Sequence, residues 1–264
     1  MTERDYTDVE FMICVMARNM EDEKTIFIGY GMPQIAAILG QRMYSPNIIQ
    51  VYEYGAIGPD VATPFMRNMM ADSRNSYKSF AWTTMGPLLE LASVGLIDYG
   101  ILGAAQIDPF GNINSTNIGP YDAPKRRFAG SGGGNEVASL CWKTIICMQH
   151  QKRKFMDNID FMTSPGYLDG TPGAREKAGL PRGTGPHQVI TSKAMFDYHP
   201  DDHRMRLIAV APDQTVESVL EDMGFKPHVA DDVRTLEAPK PEELKMLREV
   251  IDPDHVVIGF VKNE

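Results

Sequence analysis

The chain has 264 residues, 43% of them apolar, and a formal net charge of −9. That supplies enough apolar material for one or two packed cores, and the acidic balance argues against a nucleic-acid binder, which would carry a basic stripe. No stretch approaches the ~20 consecutive apolar residues of a membrane-spanning helix.

The chain opens on the polar run Met1-Thr2-Glu3-Arg4-Asp5 with no apolar signal region behind it. The three cysteines, Cys14, Cys141 and Cys147, lack the spacing of a metal or redox pair. Together these predict a soluble cytoplasmic protein with reduced thiols. Val9, Met12, Ile13, Met16 and Met20 give residues 7–20 a helical rhythm. Thr25–Ile28 reads as a buried strand stopped by Gly29-Tyr30-Gly31, and Pro33 opens a helix holding Ile35, Ala36, Ile38 and Leu39. Ile48–Tyr52 reads as the next strand. Strand, helix, strand over 25–52 is the unit that builds a parallel sheet.

Farther along, residues 82–94 read as a helix despite Gly86-Pro87, 97–102 as a strand, 136–140 as a short helix and 144–148 as a buried strand. The segment 167–186 is a long loop rich in Gly and Pro, which marks it as functional or packed on a partner. Val189-Ile190 and Arg206–Val210 read as late strands, and 216–223 and 241–250 as closing helices. No repeat or linker interrupts the pattern. The expectation is one α/β domain over residues 1–264, with an open, mainly parallel sheet and flanking helices.

The stretch Gln50-Val51-Tyr52-Glu53-Tyr54-Gly55-Ala56-Ile57-Gly58-Pro59-Asp60 stands out. It ends an apolar run with a carboxylate and then two glycines three residues apart. A solvated turn carries Asn, Asp or Ser; this one is flanked by Val, Tyr and Ile, so Glu53 is expected to be partly desolvated. Its chemistry stays open between base, metal ligand, nucleophile and an incidental strand-end carboxylate. The cluster Gly130-Ser131-Gly132-Gly133-Gly134 precedes the helix at 136–140. It is an anion or oxyanion cradle of backbone N–H groups, or a flexible connector. It is neither a dinucleotide fingerprint nor a P-loop. The basic clusters Lys125-Arg126-Arg127 and Lys152-Arg153-Lys154 read as solvated faces that could still meet a small anion.

The six histidines, at 150, 187, 199, 203, 228 and 255, show no zinc-like spacing. His199 and His203 are four apart, but Pro200 between them argues against a helical ligand pair, and no metal is expected. Neither Ser131 nor Ser164, the serines beside glycines, sits in a G-x-S-x-G elbow, which argues against a serine hydrolase.

Several stretches carry a resemblance: GYGMP (29–33), MYSP (43–46), VYEYG (51–55), GAAQIDPFGNINST (103–116), KRRFAGSGGGN (125–135), MQHQKRKFMDNIDFMTSPGYLDG (148–170) and REVIDP (248–253). In these the chain resembles the β subunits of class I CoA-transferases of the glutaconate type, over nearly its whole length. The resemblance implies a heteromeric enzyme with a homologous α subunit, moving CoA between an acyl-CoA and a carboxylic acid such as a dicarboxylic acid. It implies Glu53 as the nucleophile, ping-pong chemistry through a glutamyl-CoA thioester, oxyanion donors at Gly132, Gly133 and Gly134, and Gln106 near the CoA arm. A side chain at Gly133 would block the thioester or strain a positive φ. Coenzyme A enters as substrate and no tightly bound cofactor is expected. Tyr54 stands where relatives often carry a smaller residue such as Ser or Asn, which puts glutaconate itself in question. A CoA-thioester or C–C bond hydrolase, and a non-catalytic subunit completing a partner's site, are the alternatives.

Overall fold

Thr7 and Glu10 start the first helix by capping each other. The Thr7 hydroxyl accepts from the Glu10 N–H at 3.1 Å, and the Glu10 carboxylate accepts from the Thr7 N–H at 2.8 Å, satisfying two otherwise orphaned donors. The structure is a computed structural model describing residues 4–65 and 71–259. The chain divides into two compact units, Met1–Leu91 with Glu237–Glu264, and Ala92–Leu236.

In the first unit, α1 (Asp8–Arg18) is followed by β1 (Thr25–Ile28), α2 (Met32–Met43) and β2 (Ile49–Tyr52). β1 and β2 pair in parallel from Thr25 opposite Ile49 to Ile28 opposite Tyr52. Residues 11–17 of α1 are at most 2% exposed, because this helix is apolar nearly all round and packs against α2. Two short strands, β3 (Ala56–Ile57) and β4 (Ala81–Trp82), then add to β2 in antiparallel fashion. The helix expected from Trp82 begins only at Met85, as α3 (Met85–Ser93). Ala81 and Trp82 are drawn into the ladder, and Pro87 falls in the first turn of α3, where its missing N–H costs nothing.

The second unit runs through β5 (Tyr99–Gly103), two small ladders and a wider sheet. β6 (Gln106–Ile107) pairs with β7 (Ile113–Asn114), and β8 (Asn117–Ile118) with β9 (Arg126–Arg127). Next come α4 (Gly134–Leu140), β10 (Lys143–Met148), α5 (Ala174–Lys177), β11 (Gly185–Thr191), β12 (Ala194–Tyr198), β13 (Met205–Val210), α6 (Val216–Glu221) and β14 (His228–Thr235). β10 lies between β5 and β11, parallel to both, and α4 packs over these strands. β12, absent from the sequence reading, turns back antiparallel between β11 and β13. β14, also unanticipated, closes the order parallel to β13.

The chain then returns to the first unit with α7 (Pro241–Lys245), which continues as a wider helical turn over Met246–Ile251. Glu243, 0% exposed, pairs there with Arg18 and accepts from the Tyr44 hydroxyl at 2.6 Å. Arg248 pairs likewise with the buried Glu10 at 2.6 Å. A buried carboxylate needs such partners, and these pairs tie the returning segment to α1 and α2. The fold is α/β, with parallel long strands, antiparallel additions and flanking helices. No helix among the described residues is long and apolar enough to cross a membrane.

Candidate active site

β2 buries Val51 and Tyr52 completely, so the chain leaves the core at the next residue, Glu53. Glu53 and Tyr54 form a tight turn closed by the Gly55 N–H on the Tyr52 carbonyl at 2.8 Å. Gly55 holds φ +120°, and a Cβ there would lie 2.0 Å from the Thr83 carbonyl oxygen. Gly58 holds φ +63°, and its Cβ would meet the Phe80 ring at 1.7 Å. Both glycines are therefore dictated by the β2–β3–β4 meander, through backbone sign and close approach. That arrangement leaves the Glu53 side chain half-buried. Among the described residues no hydrogen bond or ion pair engages its carboxylate. Such a group can attack an electrophile, take a proton or join a metal.

The Tyr54 ring packs beside Tyr52 (centroids 6.1 Å apart) and Trp82 (5.5 Å), and burial pushes its phenol up to about 12. The bulk of Tyr54 is thus taken up by the aromatic stack of its own meander.

In the second unit the glycine cluster leads into α4. Gly133 is the residue before the helix, with φ −82°, an ordinary backbone angle. The left-handed angles lie at Gly130 (+88°) and Gly132 (+50°), so the strain expected at Gly133 belongs to Gly132. The Gly134 N–H is bound to the Ser131 carbonyl at 2.8 Å, and the Asn135 N–H to the Ser131 hydroxyl at 2.9 Å. Gly132 and Gly133 keep N–H groups that no acceptor among the described residues takes. Asn135 also reaches the Thr163 carbonyl at 3.0 Å, and Thr163 accepts from the Ser115 N–H at 2.9 Å.

Gln106 lies in the same unit but is only 3% exposed, and its amide is engaged through both nitrogen and oxygen. Its nitrogen donates to Asp160 at 2.8 Å, and its oxygen accepts from Asn114 at 2.6 Å and the Asp160 N–H at 3.1 Å. Asp160 in turn accepts from the Gly119 N–H at 3.0 Å. It lines an open cleft of about 850 Å³ with Asp108, Phe161, Asp169, Thr171 and Lys177. Asn112 bridges Asp108 (2.6 Å) to the Gly166 N–H (2.7 Å) and the Leu168 carbonyl (2.7 Å). Burial raises the Asp108 carboxyl, although Asn112 and neighbouring N–H groups oppose the shift. Asn112, Asn114, Asp160 and Thr163 were not singled out from sequence. The density of Asn and Asp in 108–117 was the available signal, since short amide side chains are what knit irregular backbone together.

The loop 167–186 contains α5, and Arg175 on that helix is 5% exposed. Its guanidinium donates to the carbonyls of Gly166 (2.6 Å), Pro165 (3.3 Å), Ala138 (3.1 Å) and Ser139 (3.3 Å), and to the Thr184 hydroxyl (2.9 Å). The loop is thereby fastened to the far end of α4, whose near end is the glycine cluster.

The other reactive candidates are quiet. All three cysteines are buried; burial raises Cys14 further still and holds Cys141 and Cys147 at about 12, so none is a ready thiolate. Arg127 lies over the Tyr121 ring at 4.6 Å on an exposed strand. Lys154 is half-buried, and its ammonium is lowered by that burial. His203 stacks on Tyr167 at 4.3 Å, while His199 lies instead beside His228.

The model of the Coenzyme A transferase family matches residues 9–222. The chain is 38% identical to the B-type subunit of glutaconate CoA-transferase from Acidaminococcus fermentans, over 96% of each chain. The crystal structure of that enzyme superposes with a TM-score of 0.90 at 36% identity, covering 97% of this chain and 99% of the other. The B-type subunit of 3-oxoadipate CoA-transferase from Pseudomonas knackmussii is 34% identical over 92% of each chain. The IpdB subunit of the cholesterol ring-cleaving hydrolase from Mycobacterium tuberculosis is 27% identical over 84% of each. With both the family model and relatives above 30% identity spanning nearly its full length, the chain belongs to the Coenzyme A transferase family.

Proposed function

We propose that the chain, acting over residues 1–264 as one β-subunit domain, moves CoA between an acyl-CoA and a carboxylic acid by covalent catalysis at Glu53. The observation that carries this reading is the Glu53 carboxylate, half-buried at the exit of β2 with no partner among the described residues. Partial desolvation without a fixed cation keeps an anion reactive.

The Glu53 oxygen adds to the thioester carbonyl, the CoA thiolate leaves, and an acyl-glutamyl anhydride forms. The same thiolate then attacks the glutamyl carbonyl, releasing the donor acid and leaving a glutamyl-CoA thioester. An acceptor carboxylate reverses both steps and departs as the new acyl-CoA, so the carboxylate of Glu53 is regenerated. Each addition places negative charge on a carbonyl oxygen. A positioned N–H is worth ~10²–10³ in rate, and the N–H groups of Gly132 and Gly133 are the donors in this reading. Gln106 acts near the CoA arm by holding Asp160 and Asn114, with CoA as substrate and no resident cofactor. A homologous α subunit completes the enzyme in the cytosol. In support, Phe80, Trp82 and Met85 are 66%, 57% and 52% exposed in the first unit, an apolar edge that suits a partner chain.

The assembled complex, given an acyl-CoA and no acceptor acid, should yield a Glu53 peptide heavier by CoA and labile to hydroxylamine. Glu53→Gln should show neither adduct nor transfer, and steady-state rates should follow a ping-pong law. Turnover with no modification at Glu53 would defeat the reading. Release of CoA and acid with water as the only acceptor would instead favour a thioester hydrolase, and hydrolysis of a carbon–carbon bond would favour the ring-cleaving chemistry named for the IpdB relative. Full transfer by Glu53→Ala would leave a non-catalytic subunit.

A further inference from the structure

The second unit brings together two imidazoles and a carboxylate that are scattered in sequence. The turn between β12 and β13 folds tightly: the His199 N–H bonds the Arg204 carbonyl at 2.8 Å, and the His203 N–H bonds the His199 carbonyl at 2.9 Å. His203 takes φ +56° to make that turn, which sets His199 and Asp202 side by side. β14 then enters parallel to β13 with His228 opposite Arg206, and the His228 ring arrives 4.8 Å from the His199 ring. The Asp202 carboxylate lies between them, 2.8 Å from His228 Nε2 and 3.6 Å from His199 Nδ1. One ligand atom from each residue falls within 4.8 Å of the other two.

The geometry points to a divalent-metal site of the zinc class at His199, Asp202 and His228. In a tetrahedral site with bonds of about 2.0–2.1 Å, ligand atoms stand ~3.4 Å apart. The present separations bracket that value, and the three side chains are 32%, 45% and 42% exposed, so small rotations reach it. Two imidazoles with one carboxylate select zinc, nickel, cobalt or copper over magnesium and calcium, which take oxygen donors. The Arg204 N–H on Asp202 at 3.1 Å orients the carboxylate from behind, as outer-shell partners of metal ligands do. The carboxylate of Asp201, 4.0 Å from His199 Nδ1, can approach as a fourth ligand; its N–H reaches that nitrogen only at 3.4 Å, a weak competitor. Two other histidines are already engaged: His150 has both ring nitrogens bonded inside the core, and His255 bonds the Gly259 carbonyl.

A metal here would fasten an edge strand. β14 stands at the end of the strand order, and most of its side chains are exposed, so few apolar contacts hold it. Joining its first residue to the β12–β13 turn would close a loop of chain at that edge.

The full-length protein, stripped with chelator, should take up one equivalent of zinc in competition with a chromophoric chelator, and magnesium should not displace it. Hydrogen exchange of the 228–235 amides should slow on zinc addition. The double variant His199→Ala/His228→Ala should bind zinc more weakly by more than the roughly 10–100-fold that a lost outer-shell partner costs, and should lose the added protection. Asp202→Asn gives the same test with minimal change of shape. Absence of saturable zinc binding, or equal affinity in parent and Asp202→Asn, would overturn the site and leave the three residues as a hydrogen-bonded triad.

Discussion

Gly55 and Gly31 make a matched pair for separating backbone strain from close approach. Both have positive φ, +120° and +86°. Alanine at either is forced into an unfavourable backbone region, at a cost of about 1–3 kcal/mol. At Gly31, ahead of α2, nothing lies within 4 Å of an added Cβ, so strain is the whole effect. At Gly55 the Cβ would stand 2.0 Å from the Thr83 oxygen, 2.6 Å from its carbonyl carbon and 3.2 Å from the Thr84 nitrogen, all backbone. Backbone cannot rotate away as a side chain does, so β4 must shift. Overpacking of this kind costs about 1–3 kcal/mol. The 3.0 Å bond from the Thr83 N–H to the Gly55 carbonyl goes with it, for about another 1 kcal/mol. Gly55→Ala should therefore lose at least about 2 kcal/mol more than Gly31→Ala. Urea unfolding followed by circular dichroism and by tryptophan emission measures the difference, with Trp82 next to the displaced carbonyl as a local reporter. Equal losses, within about 0.5 kcal/mol at unchanged m-value, would refute the close-approach reasoning.

Two further outcomes follow from the second unit. Burial drives His150 down from 6.5 to about 4; the folded protein keeps it neutral where the unfolded chain protonates it. Its contribution is complete above about pH 6.5 and fades as pH falls towards 4, by at most roughly 3 kcal/mol. His150→Gln should flatten that acid limb in unfolding curves taken between those values. In the glycine loop, Gly132→Val meets φ +50° and should slow transfer ~5–30-fold through about 1–2 kcal/mol of left-handed strain. Gly133→Val meets no such strain, so any loss in its kcat reports blocked approach of the thioester; parent-like rates in both variants would make the loop a connector.

The elements legible in sequence were those whose own side chains drive their burial. β1, β2 and β10 are runs such as Thr-Ile-Phe-Ile and Thr-Ile-Ile-Cys-Met, apolar enough to announce a strand covered on both faces. β14, His-Val-Ala-Asp-Asp-Val-Arg-Thr, reads as a surface loop because its pairing comes from the exposed edge of β13 and not from its own composition. β4 was lost to the neighbouring helix for a similar reason: two residues of ladder carry no period. At the candidate site, the exit of Glu53 from a strand could be read because Val51-Tyr52 marks the core and Gly55 marks the turn. The burial of Gln106 could not, since an amide in a polar motif looks alike whether it faces a ligand or Asn114 and Asp160. The grouping of His199 with His228 depends on the register of β13 and β14, which no local spacing encodes.

The Arg175 clamp has a consequence for how this region can vary. Four of its five acceptors are main-chain carbonyls, at Ala138, Ser139, Pro165 and Gly166. A carbonyl is present whatever side chain its residue carries. Mutational freedom around the clamp is therefore lopsided: the contacted positions can drift in identity as long as the backbone keeps its path, whereas the donor cannot. Lysine offers one ammonium in place of a planar fork and cannot reach the same set of oxygens at once. The long loop can thus change its surface while its fastening to α4 rests on the identity of one residue.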